Sequence, residues 1–192
     1  MKENFKINFN KSVLIIIDMV KGFTDMGELK SYHIKKIGEA IQEECSKFKN
    51  IVAINDCHKE QDNEFNIYPV HCLENSIECE VCDELKNVKF THVLFKNSTN
   101  GFFSKGFLDV FHKYIKENYD FVVVGCCTDI CVLQFCLTFQ GYLHSINSKS
   151  NLVVVKELVD TYDSEKHNRE YLNEAAFNLM DGTGVILINT IM

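Results

Sequence analysis

Short apolar runs alternate along the chain with longer stretches of helical period. Residues 13–17, 51–54, 92–95, 121–124, 152–155 and 185–188 are rich in β-branched or aromatic side chains, which predicts six strands. Several lack polar alternation, as parallel strands covered on both faces do. Residues 32–48 place Ile34, Ile37, Ile41, Cys45 and Phe48 on one stripe. Phe107, Val110, Phe111, Tyr114 and Ile115 repeat that pattern, so both segments are predicted helices. Residues 129–139 and 164–180 predict two more, the last with Asp163 or Ser164 as N-cap and Gly182 just past its end. Strands joined by crossover helices give an α/β fold, a three-layer α/β/α sandwich on a six-stranded, mainly parallel sheet. Residues 59–89 resist the pattern: they carry acids, Cys72, Cys79, Cys82 and Pro69 with little periodicity, and so long a loop inside a compact domain is usually functional.

The length of 192 residues, 46% of them hydrophobic, supports one substantial core, read as a single domain over 1–192 with an excursion at about 56–90. Lys and Arg total 20 against 27 Asp and Glu, a formal charge of −7. That balance leaves no basic stripe for phosphates, which argues against nucleic acid and anionic membrane surfaces as partners and leaves a small molecule. No apolar run approaches the ~20 residues that span a bilayer, and Met1-Lys2-Glu3-Asn4 lacks the basic-then-apolar order of a signal peptide. A cytoplasmic location is expected. Nine cysteines in a reducing compartment are expected to be mostly thiols.

Open α/β sheets bind ligands at the carboxyl ends of their strands, and three such ends carry reactive groups. The first strand ends at Asp18, the third runs into Lys96, and the fourth leads through Gly125-Cys126-Cys127-Thr128-Asp129 into a helix whose first turn holds Cys131. Helix N-termini and nearby ammonium groups favour thiolate, so Cys131 is expected to be a nucleophile at neutral pH, with Asp18 shuttling its proton. A second constellation is Asp56-Cys57-His58 followed by Glu64 and His71. One-residue spacing puts Asp56 and His58 on the same side of an extended segment, and two imidazoles with carboxylates suit Zn²⁺, Fe²⁺ or Mn²⁺. Cys79-Glu80-Val81-Cys82, with Cys72, is a rival metal or redox site that ranks lower because no second CxxC accompanies it. His33, His92, His112, His144 and His167 show no comparable grouping.

Four ordered blocks resemble the isochorismatase-like cysteine hydrolases, and within them the nicotinamidases: residues 14–23 around Asp18, Asp56-Cys57-His58 with His71, Phe95-Lys96 with Phe102, and residues 125–132 ending in Cys131-Val132. The resemblance implies a triad with Asp18 as general base and acid, Lys96 as charge partner and Cys131 as nucleophile. It also implies an oxyanion hole from the backbone amides of Cys127 and Cys131, and a cis bond between Cys126 and Cys127. One divalent metal ion, zinc ahead of iron or manganese, would be held by Asp56, His58, His71 and Glu64, and would orient a pyridine nitrogen. The activity implied is conversion of nicotinamide to nicotinate and ammonia through an acyl-thioester, within NAD salvage, by an enzyme whose relatives commonly form dimers or tetramers. The chain departs from the family at Cys57, where a tryptophan is frequent, and at Thr99-Asn100-Gly101-Phe102. Phe23 and Phe102 are the candidate walls for a flat substrate ring. Another small amide or carbamoyl substrate, or a non-catalytic ligand-binding role, stays open on the sequence alone.

Overall fold

The computed structural model describes residues 5–191, so Met1-Lys2-Glu3-Asn4 lies outside the described residues. Strands β1 (Ser12–Ile17), β2 (Asn50–Asp56), β3 (His92–Lys96), β4 (Asp120–Cys126), β5 (Leu152–Asp160) and β6 (Ile186–Ile188) form one sheet in the order β3-β2-β1-β4-β5-β6. Every neighbouring pair is parallel. Connections run outward from β1 to β3, then restart beside β1 at β4 and run outward the other way. The direction reverses between β1 and β4, and ligands of such sheets bind outside the carboxyl ends of strands at this reversal.

The composition of β1 explains its place. Val13, Ile15 and Ile17 pack with Phe107, Phe111, Phe135 and Phe139 on one face, whereas Leu14 and Ile16 pack with Ile34, Ile37 and Ile41 on the other. Period 2 is present, but both of its phases are apolar because both faces are covered. Helix α2 (Tyr32–Cys45) covers the second face, beyond a one-turn α1 (Lys21–Thr24) that follows β1. Helices α3 (Phe107–Lys116), α4 (Leu133–Ser145) and α5 (Arg169–Gly182) cover the first. None of the helices among the described residues is long and apolar enough to cross a membrane.

Several expected boundaries move. Helix α2 stops at Cys45 although Phe48 stays buried, because a tighter turn places the Phe48 amide on Cys45 O at 3.1 Å. Residues 128–132 form a π-helical turn ahead of α4, so Cys131 sits in that turn rather than in the first turn of an α-helix. Strand β5 continues to Asp160 across polar Lys156 and Glu157, its register with β4 shifting between Val123 and Gly125. Neither Asp163 nor Ser164 caps α5; Asn168 does, its side chain accepting from the Tyr171 amide at 2.8 Å, and Gly182 is the last helical residue. Gly125 has φ 111°, and a Cβ there would stand 2.1 Å from Ile17 O, so only glycine lets β1 and β4 meet at the reversal point.

Candidate active site

Each strand named above delivers its terminal side chain to one place. Past the end of β1 the chain turns through Asp18 at φ 54°, a left-handed conformation uncommon outside glycine. The Asp18 amide donates to Ile54 O at 3.0 Å, and the Asp56 amide donates back to Asp18 Oδ1 at 2.8 Å, so the backbone of β2 holds this residue twice, once by its amide and once by its carboxylate. At the end of β3, Lys96 Nζ lies 2.8 Å from Asp18 Oδ2 and 3.6 Å from Cys131 Sγ, and it donates to Asp56 Oδ1. All four groups are buried. One ammonium therefore serves two carboxylates and a thiol away from water.

Protonation in this cluster corrects the expectation of a ready-made thiolate. Burial, the largest influence, pushes the Cys131 thiol well above its ordinary value, and the pull of Lys96 is opposed by the charges of Asp18 and Asp56. The local argument from a helix start and a nearby cation loses to desolvation. Burial, reinforced by the Asp56 charge, pushes Asp18 up to about 7 against the pull of Lys96 and Cys131. Burial also opposes charge on Asp56, yet Lys96 and the two imidazoles hold it well below the usual carboxylate range. Lys96 stays ammonium because its two carboxylate partners outweigh its own burial. The resting arrangement is a neutral thiol beside a carboxylate poised near neutrality, which suits proton transfer in either direction.

Asp56 also faces the excursion between β2 and β3. His58 Nε2 lies 3.4 Å from Asp56 Oδ1 and 3.9 Å from Glu64 Oε1; His71 Nε2 lies 3.5 Å from Asp56 Oδ2 and 4.0 Å from Glu64 Oε1. One ligand atom from each of the four residues falls within 4.8 Å of all the others. His58 is fully buried, its Nε2 without a hydrogen-bond partner and its Nδ1 3.4 Å from Asp62 Oδ2, and burial with the Asp56 charge raises Glu64. The orphaned Nε2 of His58 and the Nε2 of His71, both facing Asp56 and Glu64, fit a divalent cation, with a donor set of two nitrogens and two oxygens that suits Zn²⁺, Fe²⁺ or Mn²⁺. His71 is oriented from behind, its Nδ1 lying 2.8 Å from Pro69 O.

A cavity of about 510 Å³ opens onto both groups, touching Cys131, Cys127, Asp56, Glu64 and His71. Phe23 lines it. Phe102 does not: its ring packs against Phe107, Phe139 and Tyr142 at 5.0, 6.2 and 5.4 Å, on the core side of the turn 101–103. Leu29, Tyr68, Ile130 and Tyr162 also line it, with His33 and Thr99, none of them singled out as a wall by the sequence. Tyr162 follows the true end of β5 by two residues, so the strand-end rule would have found it had β5 been read past its polar interruption. Cys72, Cys79 and Cys82 do not form the rival site. Cys72 and Cys82 are buried, and Cys79 Sγ donates to Cys72 O at 2.8 Å, while the metal-competent group found among the described residues excludes all three. The Cys126–Cys127 bond is cis, and Cys127 O accepts from the amides of Ile130 and Val132, each at 3.1 Å, at the head of the π turn.

Comparison with known proteins places the chain among relatives of the same architecture. The Isochorismatase domain family model matches residues 12–190. A curated Arabidopsis thaliana protein, Nicotinamidase 1, is 27% identical over 222 residues, covering 99% of this chain and 91% of its own length. An L. infantum protein solved in complex with nicotinate superposes with a TM-score of 0.80 at 20% identity, covering 96% of both chains. A Pyrococcus horikoshii pyrazinamidase in complex with zinc gives 0.74 at 20% identity over 94% of this chain and 99% of that one.

Proposed function

The chain belongs to the isochorismatase family of enzymes, and on that premise we propose that it is a metal-dependent cysteine amidohydrolase that converts nicotinamide to nicotinate and ammonia. The observation that carries this is the meeting, in one cavity, of a buried Cys131–Lys96–Asp18 cluster with the Asp56, His58, Glu64 and His71 group. The first is a machine for acyl transfer, the second a place to hold a cation, and aromatic Phe23, Tyr68 and Tyr162 suit a flat ring between them.

In this reading Cys131 Sγ attacks the carboxamide carbon as its proton passes to Asp18, and the oxyanion meets the backbone amides of Cys127 and Cys131. Asp18 then gives that proton to the departing nitrogen, so the C–N bond breaks, ammonia leaves and an acyl-thioester stays on Cys131. Water, deprotonated by Asp18, adds to the thioester, the C–S bond breaks, and the thiol regains its proton. Lys96 remains ammonium throughout and keeps Asp18 in place. Asp56, His58, Glu64 and His71 would hold the divalent ion, which would supply a fixed positive charge for a ring nitrogen and so help to orient the amide toward the sulfur.

The test is turnover of nicotinamide against benzamide, by protein stripped with chelator and by the same protein reloaded with zinc, iron or manganese. Restoration of nicotinamide hydrolysis on reloading, with benzamide at least tenfold poorer in kcat/KM, is the expected result. Equal rates on both amides, or full activity in stripped protein, would overturn the proposed use of the metal.

A further inference from the structure

The cavity wall formed by Tyr162 is tied to the nucleophile-bearing turn by a side chain that the chemistry above does not use. Asp129 stands two residues before Cys131, and its Oδ2 lies 2.9 Å from His167 Nε2. The other ring nitrogen of His167, Nδ1, lies 3.0 Å from the carbonyl oxygen of Tyr162. The His167 and Tyr162 rings stack with centroids 3.7 Å apart and planes 17° from parallel. A tight turn makes this overlap, the Ser164 amide donating to His167 O at 3.0 Å and the His167 amide to Ser164 O at 3.1 Å. Both side chains are mostly shielded from solvent, at 13% and 11% exposure.

Each ring nitrogen of His167 thus meets an oxygen acceptor, and the ring lies over the face of Tyr162. Asp129 Oδ1 is buried without a partner, and His167 is the side chain that contacts this carboxylate among the described residues. Tyr162 in turn lines the cavity beside Cys127, Ile130 and Cys131. The clamp therefore joins two segments that approach the substrate from different directions: the turn after β4 that carries the thiol, and the segment after β5 that carries the wall.

We propose that His167 is a positioning residue, fastening Tyr162 and the turn 128–132 into one unit so that the ring-binding wall and the Cys131 thiol keep a fixed register. The inference rests on the hydrolase reading above. A substrate ring seated against Tyr162 has its carbonyl placed by that wall, and misplacing a reacting atom by about 1 Å costs on the order of 10²-fold in rate. The loss on breaking the clamp belongs to kcat more than to KM, because the remaining walls still bind the ring.

The experiment compares wild type with His167→Ala in steady-state hydrolysis of nicotinamide, in thermal unfolding, and in amide hydrogen exchange. The expected result is a kcat lowered at least tenfold with KM within about threefold of wild type. Exchange is expected to rise in residues 128–132 and 161–166 together while the strands keep their protection. A kcat within twofold of wild type, a loss confined to KM, or unchanged exchange at 128–132 would overturn the proposal. Should His167→Ala fail to fold, Asp129→Asn keeps the shape of the carboxylate and drops its charge. That variant is expected to lose kcat at least threefold, and no loss there would overturn the proposal equally. Wild-type protein inert toward nicotinamide would defeat the hydrolase reading alone, since the exchange measurement decides the clamp without any substrate.

Discussion

Replacing Lys96 with methionine removes the one ammonium that lies between Asp18, Asp56 and Cys131 while keeping a side chain of similar length. Lys96 is 3% exposed, with its carboxylate partners at 0% and 1%, so water cannot take its place. Breaking a buried ion pair by deleting one partner costs roughly 3–5 kcal/mol, because the remaining charge is left uncompensated. For a chain of this size each kcal/mol moves the melting temperature by roughly 2–4 °C, so the expected drop is roughly 6–20 °C. The pH dependence gives the prediction its sign. Asp18 is already raised from 3.8 to about 7, and a group raised in the folded state contributes stability that is lost as pH climbs through that interval. Asp56 is depressed with Lys96 present and contributes in the opposite sense, with stability present above the ordinary carboxylate value. Deleting Lys96 removes that contribution and pushes both carboxylates upward, so the deficit of Lys96→Met is expected to widen between about pH 5 and about pH 8. Calorimetry of metal-free protein at the two pH values measures it. A drop of less than about 2 °C at the higher pH, or a deficit that shrinks as pH rises, would refute the assigned electrostatics.

Three other outcomes follow from the same geometry. Asp18→Asn is expected to lower kcat by about 10²–10⁴-fold, and kcat/KM of metal-free-prepared, reloaded wild type to fall on the acid side as Asp18 is protonated; a cation on Asp56 cancels part of the charge that raises Asp18 and shifts this limb below about 7. Phe102→Leu is expected to leave KM for nicotinamide within twofold while lowering the melting temperature, whereas Tyr68→Ala raises KM, since only the second side chain faces the cavity. Gly125→Ala forces a Cβ into Ile17 O at a φ that disfavours any side chain, and circular dichroism with soluble yield is expected to show loss of the folded state.

Much of this was legible in the sequence for identifiable reasons. Buried parallel strands announce themselves as apolar runs, and their carboxyl ends are where Asp18, Lys96 and the Cys127–Cys131 segment had to lie. Asp56 and His58 were readable from their alternation along an extended segment. Glu64 and His71, six and thirteen residues after His58, were readable as ligand-type side chains in the long irregular loop, and the fold brings both to the same point. What escaped depends on long-range packing. Asp163 looks like a helix cap, but its Oδ1 accepts from the Arg169 amide at 3.0 Å while Asn168 takes the capping role. Phe102 follows Lys96 closely, yet the turn 101–103 rotates it onto Phe107 instead of toward the cavity. The protonation of Cys131 was misjudged because a helix start and a neighbouring lysine are visible in sequence, whereas the desolvation that outweighs them belongs to the whole fold.

On the proposed reading, Cys131 performs the hydrolysis in a cavity where the Asp56, His58, Glu64 and His71 group would only orient the substrate. Ammonia and nicotinate released from nicotinamide should be measured side by side for wild type and Cys131→Ala, with the metal content of both samples determined. Equimolar products from wild type, and none from a Cys131→Ala protein that keeps its metal, are the result predicted. Continued release by that variant, or none from fully metal-loaded wild type, would contradict the account.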